Sequence, residues 1–349
     1  MRRASACSLA IALIVTVAPV ARALPRGTHI EVFKRGLNFP VDLAWVPGTR
    51  KTFFTEKNTG RVRVLIGRRL LARPCVNLDV NSTGEAGALG IALHPRFKRN
   101  HWLYVYFTKR DPLENRVTRF KVSHNRCRRP KSILRGLPAS TGYHNGGQLE
   151  FVRGKLFVST GENHNRSLAQ NTKSRLGKIL RLNADGSVPN DNPFGRRNPV
   201  WSYGHRNPFG LAHRPGTAWL FESENGPNCD DELNRIRRGR NYGWGPGYTC
   251  GTKGVGPQPV GPLRRWTPPI VPTDLTWYRG AIKRLNGSLY MGDFKHGRVH
   301  RFRLNDRGTR VVGHNIVYDA SSGVVDVAKG PRGLFYIVTS SSILRIVKD

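Results

Sequence analysis

The chain has 349 residues, with 58 Lys or Arg against 22 Asp or Glu, a formal charge of +36 and 38% hydrophobic residues. That length and apolar share can bury a sizeable core as one domain. The charge alone would suggest nucleic acid, but the basic residues are scattered through nearly every turn (Arg61, Arg63, Arg128, Arg129, Arg237, Arg238, Arg264, Arg265), with no block and no regular aromatic interleaving. This pattern excludes a nucleic-acid footprint and leaves a soluble basic surface, with attraction to an anionic polymer as its one electrostatic use.

Arg2 and Arg3 precede an apolar run from Leu9 to Val20, and Ala21-Arg22-Ala23 puts small residues where a signal peptidase reads. Residues 1–23 are therefore expected to be a signal peptide, cleaved after Ala23. The run is too short to span a bilayer comfortably and no later segment approaches the needed length, so the mature chain is expected to be secreted or periplasmic. It keeps Cys75, Cys127, Cys229 and Cys250, an even number that allows three pairings in an oxidising compartment. None has the CxxC spacing of a zinc site. The favoured pair is Cys229 with Cys250, across a long insertion in the fourth repeat, which leaves Cys75 with Cys127.

From Asp42 onward a strand-rich phrase recurs six times, anchored at Asp42, Gly90, Gln148, Gly210, Asp274 and Asp326. Each copy opens with alternating apolar residues such as Val41, Leu43 and Trp45, turns, and resumes as a β-branched or aromatic run such as Phe335 to Val338. Further strands follow, as in Arg298 to Leu304, and no stretch of residues 24–349 carries a sustained helical period. Six units spaced roughly 50–60 residues apart predict a single all-β domain, a six-bladed β-propeller with four-stranded antiparallel blades.

Propeller function usually resides in loops at one end of the central channel, and four clusters precede or follow first strands. In Tyr143-His144-Asn145-Gly146-Gly147-Gln148 a histidine suited to general-base work sits beside two glycines that let the backbone approach a ligand. Gly204-His205-Arg206-Asn207-Pro208 presents a planar guanidinium and an amide, which suits an anionic or carbonyl-bearing ligand. Around Gly226-Pro227 lie Glu224, Asp230, Asp231 and Glu232, and this concentration of acids in an acid-poor chain suggests calcium. Gly84-Glu85-Ala86-Gly87 offers Glu85 to the channel, whereas His94, before Pro95, reads as a turn histidine.

Taken together these phrases resemble the soluble quinoprotein sugar dehydrogenases, the glucose/sorbosone and aldose sugar dehydrogenase family that uses pyrroloquinoline quinone (PQQ). The resemblance rests on HNGGQL, LGKILRLNADGSVPNDNPF (176–194), VWSYGHRNPFG, ENGP…DELN and RNYGW in the family's order, and it covers nearly all of residues 36–349. It implies a six-bladed propeller that oxidises an aldose-type sugar with PQQ and calcium and hands electrons to an unknown acceptor. By this resemblance His144 is the general base, Arg206 and Asn207 hold the quinone, and Lys295 is a further cofactor-binding residue. Gly226 and Pro227 then give carbonyls to the catalytic calcium, Glu232 and Tyr242 mark a second calcium site, and Glu85 and Tyr143 face the substrate. The chain departs from the pattern at Gly323-Val324-Val325-Asp326, where well-studied members carry two arginines that clamp the quinone's carboxylates. Lys295, Arg298 and Arg279 are the basic residues open to that role. A non-redox carbohydrate- or protein-binding propeller is the alternative that this departure supports.

Overall fold

The computed structural model describes residues 24–320 and 322–349, so the expected signal peptide lies outside the described residues. The chain folds into six antiparallel sheets in ring order, with almost no helix. Each of the six anchors found in the sequence lies at or just before the first strand of a sheet. In blade 1 that strand is Pro40–Trp45, in blade 2 Ala88–Leu93, in blade 3 Leu149–Val152, in blade 4 Pro208–His213, in blade 5 Pro272–Tyr278 and in blade 6 Val324–Lys329.

Blades pack face to face, so their middle strands are buried on both sides and read as continuous apolar runs. Phe335–Thr339 and Ser288–Asp293 are buried at every position. Neighbouring residues of one strand feed different interfaces because side chains alternate across the sheet. Phe53 packs with Ile91 and Val105 of blade 2, whereas Phe54 packs with Tyr336 and Val338 of blade 6. Equivalent clusters join blades 2 and 3 (Tyr106, Val158), 3 and 4 (Phe157, Leu220), 4 and 5 (Phe221, Met291), and 5 and 6 (Tyr290, Phe335). The core is therefore a ring of inter-blade layers, in which each buried Phe or Leu contributes about 1.5–3 kcal/mol.

The ring closes in a way the repeats alone do not reveal. Thr28–Lys34 precedes the first copy, yet it forms the outer strand of blade 6, pairing Ile30 with Ile346 and Val32 with Leu344. The last copy supplies only three strands of its blade, and the N-terminal segment locks the circle. Both disulfides have the favoured pairing. Cys75–Cys127 ties blade 1 to blade 2, and Cys229–Cys250 closes the blade 4 insertion.

One buried cation supports the loops that carry the site. Lys178, in strand Lys178–Leu182 of blade 3, is fully buried and donates to the carbonyls of Leu168, Ala169 and Leu176 at 2.7, 2.9 and 2.6 Å. Burial pushes its ammonium down to about 7. The same turns receive the Gly204-His205 segment, through Gly204 N to Ala169 O and His205 N to Gly177 O. Lys178→Met strands the carbonyls of Leu168 and Leu176, while Ala169 O keeps its bond from Gly204 N, and is expected to cost about 2–3 kcal/mol at pH 7, read from urea unfolding midpoints. Between pH 7 and about 10 the unfolded lysine holds a proton that the folded one has released, so this group makes wild-type stability rise with pH. The Met variant should lack that rise.

Candidate active site

The predicted base is held by loops from three blades. His144 has a left-handed backbone (φ 54°) and is 7% exposed. Its carbonyl lies so close to Gly161 that a Cβ there would sit 1.9 Å from the oxygen, which makes residue 161 an obligate glycine. His144 Nδ1 is 2.8 Å from Glu162 Oε1. A carboxylate only accepts, so in the neutral imidazole Nδ1 carries the proton and Nε2 keeps its lone pair for an incoming hydroxyl. The imidazole also stacks on His164, with ring centroids 3.9 Å apart.

Glu85 couples this base to the second cluster. Its Oε2 accepts from His144 N at 2.8 Å and from Asn207 Nδ2 at 3.0 Å, while Asn207 Oδ1 accepts from Gly146 N at 3.2 Å. Glu85 thus links the base loop to the Arg206-Asn207 loop, besides lining the main cavity. Tyr143 stands 48% exposed beside His164, on the rim.

Arg206 donates through Nη1 to Asn225 O at 2.8 Å and lies 5.4 Å from the Trp244 ring. Burial pulls its guanidinium down from the usual arginine range, while Glu162, Glu224, Glu85 and Asp231 hold it up. Arg206 Nε and Glu162 Oε2 are buried without a hydrogen-bond partner among the described residues. Polar atoms left in that state point to a ligand.

The acids around Gly226 divide their work. Glu224 Oε1 caps the backbone N–H groups of Arg206 and Asn207, and its Oε2 meets His205 Nδ1 at 2.9 Å. Asp231 accepts from the backbone of Gly226, Ile270 and Val271, and Asp230 from Gly251, Tyr248 and Thr267. Three of the four carboxylates therefore fix loop shape. Glu232 accepts from side chains instead, Asn234 Nδ2 at 3.2 Å and Arg265 Nη2 at 3.3 Å, and burial first, then the charge of Glu224, pushes its carboxyl up to about 8. Glu232, Tyr242, Gly226, Pro227 and Arg206 line one cavity of about 20 Å³, the room of a single ion or water. The carbonyls of Gly226 and Pro227 accept no hydrogen bond among the described residues. The Tyr242 hydroxyl is held between Arg235 O and Arg237 N, and its ring stacks on His205.

A larger cavity of about 350 Å³ opens at the channel mouth, walled by Phe39, Phe209, Phe294, Leu89 and Val325 with Lys57 and Glu85 among its polar groups. Its size and flat apolar walls suit a planar aromatic ligand. Lys295 is exposed on the adjoining loop, with Nζ 3.1 Å from Pro269 O. In the segment Gly323-Val324-Val325-Asp326, where the sequence departs from the resembled pattern, Val325 faces the cavity. Arg298 turns instead to Asp319, and Arg279 does not line the cavity. Lys57, whose ammonium burial lowers against the opposing pull of Glu85, is the lysine that does. His94 is a turn residue, its Nδ1 accepting from Arg96 N at 3.0 Å. Among the described residues no helix is long and apolar enough to cross a membrane.

Residues 37–348 match the family described as Glucose / Sorbosone dehydrogenase. Aldose sugar dehydrogenase YliI of Escherichia coli is 29% identical, with 93% of this chain and 94% of that protein covered. A solved oxidoreductase (glucose dehydrogenase) of Thermus thermophilus superposes with a TM-score of 0.83 at 36% identity, covering 92% of this chain and all of that one. The PQQ-bound aldose sugar dehydrogenase of Streptomyces coelicolor superposes with a TM-score of 0.81 at 29% identity, covering 94% of this chain and all of that one. With the propeller fold, the family match over residues 37–348 and this full-length likeness in agreement, the chain belongs to the glucose/sorbosone dehydrogenase family of sugar dehydrogenases.

Proposed function

We propose that this chain is an exported, PQQ- and calcium-dependent dehydrogenase that oxidises the anomeric hydroxyl of aldose-type sugars. The observation that carries the reading is the His144–Glu162 pair, tied through Glu85 to Asn207 beside Arg206. His144 Nε2 takes the hydroxyl proton, and Glu162 keeps the ring in the tautomer that can do so. PQQ, when bound, supplies the quinone that accepts hydride, and calcium the Lewis acidity that polarises it. Arg206, Asn207 and Lys295 would hold the quinone, while the Gly226 and Pro227 carbonyls would hold its calcium. The unpartnered Arg206 Nε and the free carbonyls fit that load. Glu232 and Tyr242 form a second calcium site, and Glu85 and Tyr143 meet the sugar. The even cysteine pairing supports export.

A second reading, a propeller that binds carbohydrate or protein without redox turnover, draws on Val325 standing where cofactor-clamping cations are expected. One assay separates the two. Metal-stripped protein reconstituted with PQQ and Ca²⁺ is expected to bind the quinone, seen by fluorescence quenching, and to reduce an artificial dye with a panel of aldoses. Quinone binding absent at millimolar Ca²⁺, with no dye reduced, would leave only the binding reading.

A further inference from the structure

Three of the six repeat anchors are aspartates, and the fold brings them to one point. Asp42, Asp274 and Asp326 come from the inner strands of blades 1, 5 and 6, and each offers a carboxylate oxygen within 4.8 Å of the others. They are 7, 8 and 1% exposed. Asp42 and Asp274 line both the 350 Å³ cavity at one mouth of the channel and a cavity of about 460 Å³ on its other side, where Asp326 also appears. The trio is therefore the waist of the axial channel, directly beneath the proposed quinone cavity.

Part of this carboxylate set is structural. Asp42 Oδ2 accepts from Ile91 N at 2.7 Å, Asp274 Oδ1 from Leu211 N at 3.3 Å and Leu275 N at 2.7 Å, and Asp274 Oδ2 from Gln148 Nε2. These bonds staple neighbouring blades, but they leave charge behind. Asp326 Oδ2 is buried with no hydrogen-bond partner among the described residues. Burial first, then the charges of one another and of Glu150, push these carboxyls up, and Asp274 and Asp326 also hydrogen-bond one another. Three like charges this close and this deeply buried repel one another unless a cation or protons neutralise them.

We propose that the channel waist is a divalent-cation site, built from Asp42, Asp274 and Asp326, that takes Ca²⁺ and pins blades 1, 5 and 6 together. The donor set is all oxygen, which selects a hard cation. Ca²⁺ holds its oxygens at about 2.3–2.6 Å, so two of them lie up to about 5 Å apart, the spread found here. The site is separate from the Gly226-Pro227 and Glu232 loops and does not rest on quinone chemistry.

The test counts ions without quinone. Wild type, Asp326→Asn and Glu232→Gln are stripped with EDTA, dialysed against Ca²⁺ or Mg²⁺, and their bound metal is measured by mass spectrometry. Asp326→Asn is expected to carry one Ca²⁺ fewer than wild type and to lose most of the Ca²⁺-dependent rise in Tm. Glu232→Gln should keep the axial ion, and Mg²⁺ should bind at least 10-fold more weakly. Equal Ca²⁺ content in wild type and Asp326→Asn overturns the proposal. Should Asp326→Asn fail to fold by circular dichroism, crystals of wild type grown with Mn²⁺ decide. An anomalous peak within about 2.6 Å of the three carboxylates sustains the site, and its absence there refutes it.

Discussion

His144→Ala is expected to lower kcat for aldose oxidation by about 10³-fold, the scale of a positioned general base, while the melting temperature stays within a few degrees of wild type. The small structural cost follows from the contacts. The imidazole stacks on His164 and bonds Glu162, but the backbone bonds that shape the loop, His144 N to Glu85 and Asn163 N to His144 O, survive the substitution. Quinone binding should also survive, because Arg206 and Asn207 take their positions from Glu224 and Asn225 rather than from the imidazole. Glu162→Gln separates removing a proton from holding the ring that removes it. The amide still fills the space and can still accept from Nδ1, but it no longer stabilises the charged imidazolium. A fall of about 10–100-fold in kcat with little change in KM is therefore expected. The ¹⁵N shifts of the imidazole would report the tautomer directly. Turnover unchanged in His144→Ala would remove this residue from the chemistry, whereas a drop in folded fraction matching the drop in rate would show a structural role alone.

Much of this arrangement was legible in the chain because a propeller repeats one structural problem. Val41, Leu43 and Trp45 alternate because they face blade 6 while Asp42 between them turns to Ile91 N of blade 2, and five of the six anchors are Asp or Gly, the third being Gln148. At Gly90 a Cβ would stand 2.2 Å from Gly147 O, and the aspartates reach across to cap neighbouring strands. Residues that act through distant partners were harder to read. The strand Thr28–Lys34 shows alternation in Ile30 and Val32, but its partner lies at the far end of the chain, so nothing local identifies it as the closing strand. Glu162 sits in a Gly-Glu-Asn turn with no local sign of burial, yet His144 and the Arg206 carbonyl close over it and leave it 1% exposed. Lys57 likewise lies in a polar turn, and its place in the channel mouth depends on blade 1 packing beside Glu85. The acids around Gly226 suggested cation ligands by density alone. Three of them instead satisfy backbone N–H groups, a use that composition cannot distinguish from coordination.

Arg206→Ala is expected to have the second-largest effect, a loss of about 10²–10³ in kcat/KM together with at least 10-fold weaker quinone binding. The guanidinium is the cation on which the charges of Glu162, Glu224, Glu85 and Asp231 converge, and it holds Asn225 O at 2.8 Å, one residue before the Gly226 carbonyl. Removing it unbalances four carboxylates at once and frees the turn that presents Gly226 and Pro227. Arg206→Lys restores one charge but not the planar fork, and a compact ammonium cannot both donate to Asn225 O and sit over the Trp244 ring. Lysine should therefore recover part of the quinone affinity and little of the turnover. Because Glu224 also caps the Arg206 and Asn207 backbone, the loop itself should persist in both variants. Fluorescence titration with the quinone, set beside steady-state rates, distinguishes these effects. If lysine recovered full turnover, Arg206 would act only as a point charge, and the planar contact would carry no part of catalysis.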